Sequence, residues 1–376
     1  MKENNITPEN TLLKEQSKEI SLKDLKPNYD FSNFNIGAED IKNEAEILIK
    51  QGNEAKENKG LFTVKTASRW IEQAKTRPIP QMLFGEFWFE GELCILFADT
   101  NLGKSILAVQ ISNSISRGEQ IPGFKMETQK QPILYFDFEL SDKQFENRYS
   151  IDFKQHYNFD KYFLRVEINS DAIIPENQTF EDYLNHSLER SIIETDAKVL
   201  IIDNLTYLKN ETEKAKDALP LMKHLKALKK KYGLSILALA HTPKRDLSKP
   251  ITRNDLQGSK MLINFCDCAF AIGESHTDKN LRYFKQIKAR STEIKYDTEN
   301  VCVCQIDKPS NFLQFEFINF GNEREHLKQP NDKDKELLND KVIEMKQQGR
   351  SLREIGAELG ITHMKVKRIL DNCNKL

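Results

Sequence analysis

The sequence predicts an α/β fold: a mainly parallel sheet between helices, followed by a small all-α unit. Three observations carry this. Short apolar runs recur at 93–98, 132–138, 199–202 and 234–240, separated by polar turns and segments with helical spacing. That alternation belongs to parallel strands joined by crossover helices. Gly103-Lys104-Ser105 stands where the first run gives way to helical spacing, and beyond Asn322 the composition turns polar and then helical.

The first ordered segment is read as a helix over 63–71, broken by Arg77-Pro78-Ile79-Pro80. Phe87-Trp88-Phe89 and Glu90-Gly91-Glu92 then give a strand and tight turn leading into the run 93–98. From Lys104 the apolar residues Leu107, Ala108, Ile111 and Ile115 keep helical spacing. The stretch Asp99, Thr100, Asn101, Leu102, Gly103, Lys104, Ser105 and Ile106 thus has the context of a phosphate-binding loop. Such a turn wraps backbone N–H groups around a β-phosphate at a helix N-terminus. Lys104 would reach the β/γ-phosphates and the Ser105 hydroxyl would bind Mg²⁺, so a nucleoside triphosphate is the expected ligand. Ala98 stands where the usual pattern has its first glycine, which requires a negative φ and room for a methyl group.

The run 132–139 closes on Glu139. Ligands of open α/β sheets bind at the carboxyl ends of strands, so Glu139 is the candidate base orienting a water toward the γ-phosphate. A merely solvated strand end is its other reading. Ser141 is read as the N-cap of the next helix, and Arg148 suits either nucleotide contact or an ordinary ion pair. A helix over 180–194 precedes the run 198–203, which ends in Asp203, placed to hold the Mg²⁺ water shell opposite Ser105. Asn204 follows where many ATPases carry a catalytic Glu, which returns the base role to Glu139. After a polar loop over 209–217, the helix 218–232 turns Leu219, Met222, Leu225 and Leu228 inward and five lysines outward, as a solvated face.

The run 234–240 closes on His241, either a core histidine or a sensor bonded to the γ-phosphate. The loop 242–260 carries Lys244, Arg245, Lys249, Arg253 and Lys260 against two aspartates, with Pro243, Pro250 and Gly258. It is read as a mobile, nucleic-acid-gripping loop coupled to hydrolysis, with an ordinary surface loop as the alternative. Strands follow over 267–273 and 281–290. Lys288 and Arg290, two apart on one strand, share a face. A triphosphate on a neighbouring subunit would give both cations an anionic partner, with Arg290 as a finger in trans. A hairpin over 301–306 and 312–318 ends this region.

Residues 322–334 read as a polar linker containing Pro330. Helices are expected over 337–348, 351–359 and 362–370, stopped by Gly349 and Gly360 and started by Ser351, with Glu354 as capping-box partner, and by Thr362. The short break between the last two fits a helix-turn-helix, and the third helix presents His363, Lys365, Lys367 and Arg368. With a net charge of +3 over 335–376, duplex DNA binding is preferred to a protein-docking bundle.

The bulk properties limit the alternatives. The 376 residues carry a net charge of −1, so nucleic-acid contact must come from local patches. No run of eighteen apolar residues indicates a membrane span, and Met1-Lys2-Glu3-Asn4-Asn5 lacks a signal-peptide core. The pairs Cys266/Cys268 and Cys302/Cys304 are each expected on one strand face, and their spacing does not suit zinc. Reduced thiols in a cytoplasm are the simplest reading. Residues 1–60 read as a flexible arm with a weak helical stripe over 40–50, which could instead lace subunits together.

In their order, the loop 98–105, Glu139, Asp203, His241 and Lys288-x-Arg290 make the region 63–318 resemble RecA-superfamily ATPases, closest to the plasmid RepA-type hexameric helicase branch found with bacterial mobile elements. The resemblance implies a RecA-like parallel sheet and ATP with Mg²⁺ as cofactors. It also implies hydrolysis at subunit interfaces of a homo-oligomeric ring, a hexamer, around single-stranded DNA. Ala98 and the C-terminal helix-turn-helix depart from that pattern. The organisation expected is an arm (1–60), an ATPase domain (61–321), a linker (322–334) and a DNA-binding unit (335–376). The function expected is a ring-forming DNA helicase or translocase. An ATP-switched DNA-binding regulator without unwinding is the rival reading, and a metabolic P-loop kinase would need an acceptor pocket that the sequence does not reveal.

Overall fold

The computed structural model describes residues 62–205, 207, 218–243, 245–256, 259–329 and 332–373. The expected arm, its helix over 40–50, the loop 209–217 and Lys244 lie outside the described residues, as do the side chains of Leu219 and Lys260. The chain forms two units, Met1–Pro78 and Ile79–Leu376. In the first, α1 (Ala67–Lys75) begins later than the reading 63–71, because the Thr66 hydroxyl caps it by accepting from the Arg69 N–H.

The second unit is built on a nine-stranded sheet. Its elements in chain order are β1 (Met82–Phe84), β2 (Trp88–Phe89), β3 (Leu93–Ala98), α2 (Lys104–Arg117), β4 (Ile133–Asp137), α3 (Asp142–Arg148), β5 (Ser150–Ile151), β6 (Gln155–His156), β7 (Phe163–Val166), α4 (Phe180–Thr195), β8 (Val199–Asp203), α5 (Ala218–Tyr232) and β9 (Ser235–His241). A 3₁₀ turn (Arg253–Asp255) follows, then α6 (Ser259–Phe265), β10 (Cys268–Glu274), β11 (Leu281–Lys288), β12 (Val301–Asp307), β13 (Gln314–Gly321) and α7 (Glu323–His326). The strands lie in the order β13-β12-β11-β10-β3-β9-β8-β4-β7. The six from β10 to β7 are parallel, and β11 to β13 add antiparallel. The loop-bearing strand β3 is therefore central, and its six residues are all buried.

The period of two along each strand sorts the side chains between two cores. Cys94, Leu96, Ala98, Tyr135, Ile201, Leu237 and Leu239 pack with α2 on one face. Leu93, Ile95, Phe97, Leu134, Leu200, Ile236 and Ala238 pack with α4 and α5 on the other. By that parity Asp203 and His241 fall on the α2 face. Register then brings His241 beside Ala98 and Asp203 beside Asp137 at the carboxyl edge.

Four expectations change. The loop after His241 has its own anchors: Ile251 and Leu256 are buried, Thr252 and Asp255 form a capping box, and α6 follows. Isolated apolar residues without periodicity gave no sign of this. Lys229 does not face solvent, because its ammonium pairs with Asp267 at 2.6 Å and donates to the Gly91 carbonyl at 2.7 Å. Cys266 and Cys268 belong to opposite cores, since Cys266 precedes β10, whereas Cys302 and Cys304 share a face. Finally, 323–326 of the supposed linker is helical, and Glu323 is fully buried. Its carboxylate pairs with Lys285 at 2.5 Å and accepts from the Ile251 N–H at 2.7 Å and the Tyr283 hydroxyl at 3.2 Å.

The last helices are α8 (Asp332–Gln347), α9 (Leu352–Glu358) and α10 (His363–Cys373). Val342, Met345, Ile355 and Val366 give them a small core of their own. Ser351 and Glu354 form the expected capping box. Gly356 lets α9 meet the turn before α10, where a Cβ would come within 2.7 Å of the Ile361 carbonyl oxygen. Among the described residues no helix is long and apolar enough to cross a membrane.

Candidate active site

The turn between β3 and α2 is shaped by Gly103, which opens the helix at φ 94°. A Cβ there would lie 2.7 Å from the Phe315 ring and 2.8 Å from Ile306 Cδ1, so β12 and β13 press on the loop and only glycine fits. Ala98 ends β3 without a positive φ and is fully buried, which meets the condition set by its methyl group.

Lys104 is buried and folds back over the loop. Its ammonium donates to the carbonyls of Ala98 (3.0 Å) and Asp99 (2.9 Å) and lies 3.3 Å from His241 Nδ1. Burial pulls its pKa below the ordinary lysine value, against the opposing pull of Asp203, Glu139 and Asp99. Because an ammonium only donates, Nδ1 is assigned as the acceptor of the imidazole, which leaves Nε2 as its N–H. That N–H is directed at Glu139 Oε1, 3.5 Å away, whereas Asn204 Nδ2, 3.1 Å from Nε2, is itself a donor and is no hydrogen-bond partner for it in this tautomer. Asn204 donates to Glu139 Oε1. The hydrogen bond with His241, aided by Lys104 and Asn204, holds the Glu139 carboxyl below its usual range despite partial burial, so it is a carboxylate at neutral pH.

Asp203 is 1 % exposed. Burial pushes its carboxyl up to about 6, while the Ser105 and Tyr135 hydroxyls favour the charged form. Tyr135 donates to Oδ2 at 2.7 Å, and Oδ1 has no hydrogen-bond partner among the described residues. An orphaned buried carboxylate oxygen beside a serine hydroxyl fits a divalent cation and its water shell. Among the described residues no group of three His, Cys, Asp or Glu side chains could hold a metal by itself. Any ion here would therefore share its coordination with water and phosphate.

Glu139 stands two residues past β4 on a braced turn. Asp137 Oδ1 accepts from the N–H groups of Glu139 (3.2 Å) and Leu140 (3.0 Å). Arg165 on β7 donates to Asp137 Oδ2 (2.9 Å), the Leu140 carbonyl (2.8 Å) and Asp142 (2.9 Å).

The structure thus brings Lys104, Ser105, Glu139, Asp203 and His241 together. Lys288 and Arg290 lie elsewhere. Lys288 donates to the carbonyls of Ile263 (2.5 Å) and Cys266 (2.7 Å) at the end of α6. Arg290, beyond β11, meets Asp267 at 3.2 Å, and Asp267 accepts from the Leu93 N–H at the start of β3. This is the opposite end of the sheet from the loop 99–105. In the loop after β9, Arg245 donates to the Lys249 carbonyl at 2.9 Å, Lys249 pairs with Asp246, and Arg253 is exposed. His363, Lys365, Lys367 and Arg368 are exposed around buried Val366. Sequence reasoning missed Tyr135, Asp137, Arg165 and the bond from Asn204 to Glu139. The one available signal was Asp137, a charge inside an apolar run.

A central strand feeding a glycine-lysine-serine turn, with acids and a histidine ending the neighbouring strands, defines a P-loop ATPase of RecA-like type. Residues 56–246 match the family described as the AAA domain, and the chain belongs to that family. Among solved structures it is similar to a KaiC-like protein from the hyperthermophilic archaeon Pyrococcus horikoshii OT3, at 14 % identity and a TM-score of 0.42, over 61 % of this chain and 91 % of that one. No curated protein matches the sequence.

Proposed function

We propose that this ATPase is a ring-forming DNA helicase or translocase of the RepA-like kind, acting in the replication or mobilisation of a bacterial mobile element. The convergence of Lys104, Glu139, Asp203 and His241 at one strand edge carries the proposal that it hydrolyses ATP. Glu139, charged and half-exposed, orients and deprotonates the attacking water. Lys104, freed from the Ala98 and Asp99 carbonyls, turns to the β/γ-phosphates. Ser105 and Asp203 would hold Mg²⁺, which when bound supplies positive charge to the phosphate oxygens. His241 links Lys104 to Glu139 and leads directly into the loop 242–256, so it is suited to report the γ-phosphate to that loop.

The ATPase region is taken as 61–321 and the DNA-binding unit as 335–376, with Lys365, Lys367 and Arg368 directed at duplex DNA. Arg245, Lys249 and Arg253, with Lys244 and Lys260, serve single strands. Lys288 and Arg290 lie far from their own subunit's loop and suit a triphosphate held by a neighbour in a homo-oligomeric ring. The separation of these basic groups into a loop that follows His241 and a helical unit with a small core of its own favours a motor with a targeting module over a regulator alone.

Steady-state ATP hydrolysis is expected to rise severalfold with single-stranded DNA. A rate indifferent to DNA would leave the switched-regulator reading in its place. Arg165→Gln should lower kcat on the order of tenfold to a hundredfold by loosening the turn under Glu139, with the KM for ATP little changed. An equal rise in KM would mean that Arg165 acts on nucleotide binding instead.

A further inference from the structure

We infer that Tyr135 is a positioning residue for the metal-facing carboxylate of Asp203, fixing which of its two oxygens meets the divalent cation. The inference rests on the ATPase reading above but concerns a residue that no motif marks. Tyr135 lies on β4 opposite Ile201 of β8, two residues short of the Asp137–Asp203 pair. Its ring is therefore diagonal to Asp203 on the α2 face, a separation that an aromatic side chain can span. The ring is fully buried and meets Phe163 edge-on at 6.0 Å, a packing role that phenylalanine would fill equally well.

The hydroxyl is what packing does not require. It makes a 2.7 Å bond to Asp203 Oδ2. A buried hydroxyl is costly without a partner, and this one has a carboxylate. With Oδ2 held by the Tyr135 hydroxyl, Oδ1, which has no hydrogen-bond partner among the described residues, is the oxygen left for the cation. Without the hydroxyl, the two oxygens become interchangeable and part of the binding energy goes into ordering them. Groups that orient a ligating carboxylate typically contribute 10–100-fold to metal affinity.

The test is a titration of Mn²⁺, read by its electron paramagnetic resonance signal, into the full chain with a slowly hydrolysed ATP analogue. Tyr135→Phe keeps the ring and should weaken Mn²⁺ binding roughly tenfold or more. Its affinity for a fluorescent nucleotide without metal should stay within twofold of wild type. Equal Mn²⁺ affinity in a folded Tyr135→Phe protein would overturn the inference. Should the wild-type chain show no nucleotide-dependent Mn²⁺ site, the ATPase reading itself fails, which is a separate result. If phenylalanine prevents folding, 3-fluorotyrosine at position 135 in the otherwise native chain gives a ¹⁹F resonance that Mn²⁺ with nucleotide should broaden. A resonance unaffected by Mn²⁺ would equally overturn the inference.

Discussion

Glu139→Gln should cut ATP hydrolysis by about 10²–10⁴-fold, the usual contribution of a positioned general base, while nucleotide binding persists. The substitution is nearly isosteric. The carboxamide oxygen that it introduces can still accept the Asn204 N–H, so the contact that now joins the two side chains is available to the variant. What is lost is the negative charge that faces His241 and Lys104. Single-turnover hydrolysis measured beside fluorescent-nucleotide binding separates the two effects. A variant hydrolysing within fivefold of wild type would remove Glu139 from the chemistry, and loss of binding with loss of turnover would make it a binding residue.

The second large effect is on stability. Glu323→Gln leaves the Lys285 ammonium, 8 % exposed at its side chain, without a counter-charge and among neutral acceptors only, the Ile251 carbonyl and the Thr298 hydroxyl, each at 2.8 Å, and the introduced carboxamide oxygen. Breaking one side of a buried ion pair typically costs about 3–5 kcal/mol, because the remaining charge is desolvated and unpaired. Denaturant unfolding should show that loss. Adding Lys285→Met should recover most of it, since replacing both partners of such a pair with neutral groups is often close to neutral. Amide exchange at Ile251 should quicken in the single variant, because Glu323 accepts its N–H and Lys285 donates to its carbonyl. If the single variant is as stable as wild type, the pair is ornamental and the loop after His241 has another anchor.

The contrast between these two glutamates explains what could be read from the chain. Asp203 and His241 each follow an unbroken apolar run, Glu139 follows one interrupted only by Asp137, and a buried strand that stops at a polar residue advertises its working edge. Period-two parity then put Asp203 and His241 on the α2 face. Glu323 sits instead among Asn, Glu, Arg and Lys, and its partner is 38 positions earlier on a strand whose other residues gave no reason to look for a buried lysine. Nothing local marks such a charge as internal. Tyr135 and Arg165 escaped notice for a related reason. Their contacts, 68 positions away to Asp203 and 28 positions back to Asp137, cross between strands and depend on register. The helices capped by Ser351 and Thr362 were legible because capping is local.

The place of β3 in the sheet bears on how the chain can be divided. Likeness to the AAA domain family stops at 246, yet β3 is flanked on one side by β10, which begins at Cys268. A fragment ended where the likeness ends would turn the most buried strand of the protein into an open sheet margin, offering its backbone to any passing chain. It would also lack Ile306 and Phe315, the side chains that wall in Gly103. Homology and cooperativity therefore draw different borders here, and the smallest piece that keeps both neighbours of β3 and the walls of Gly103 runs through β13.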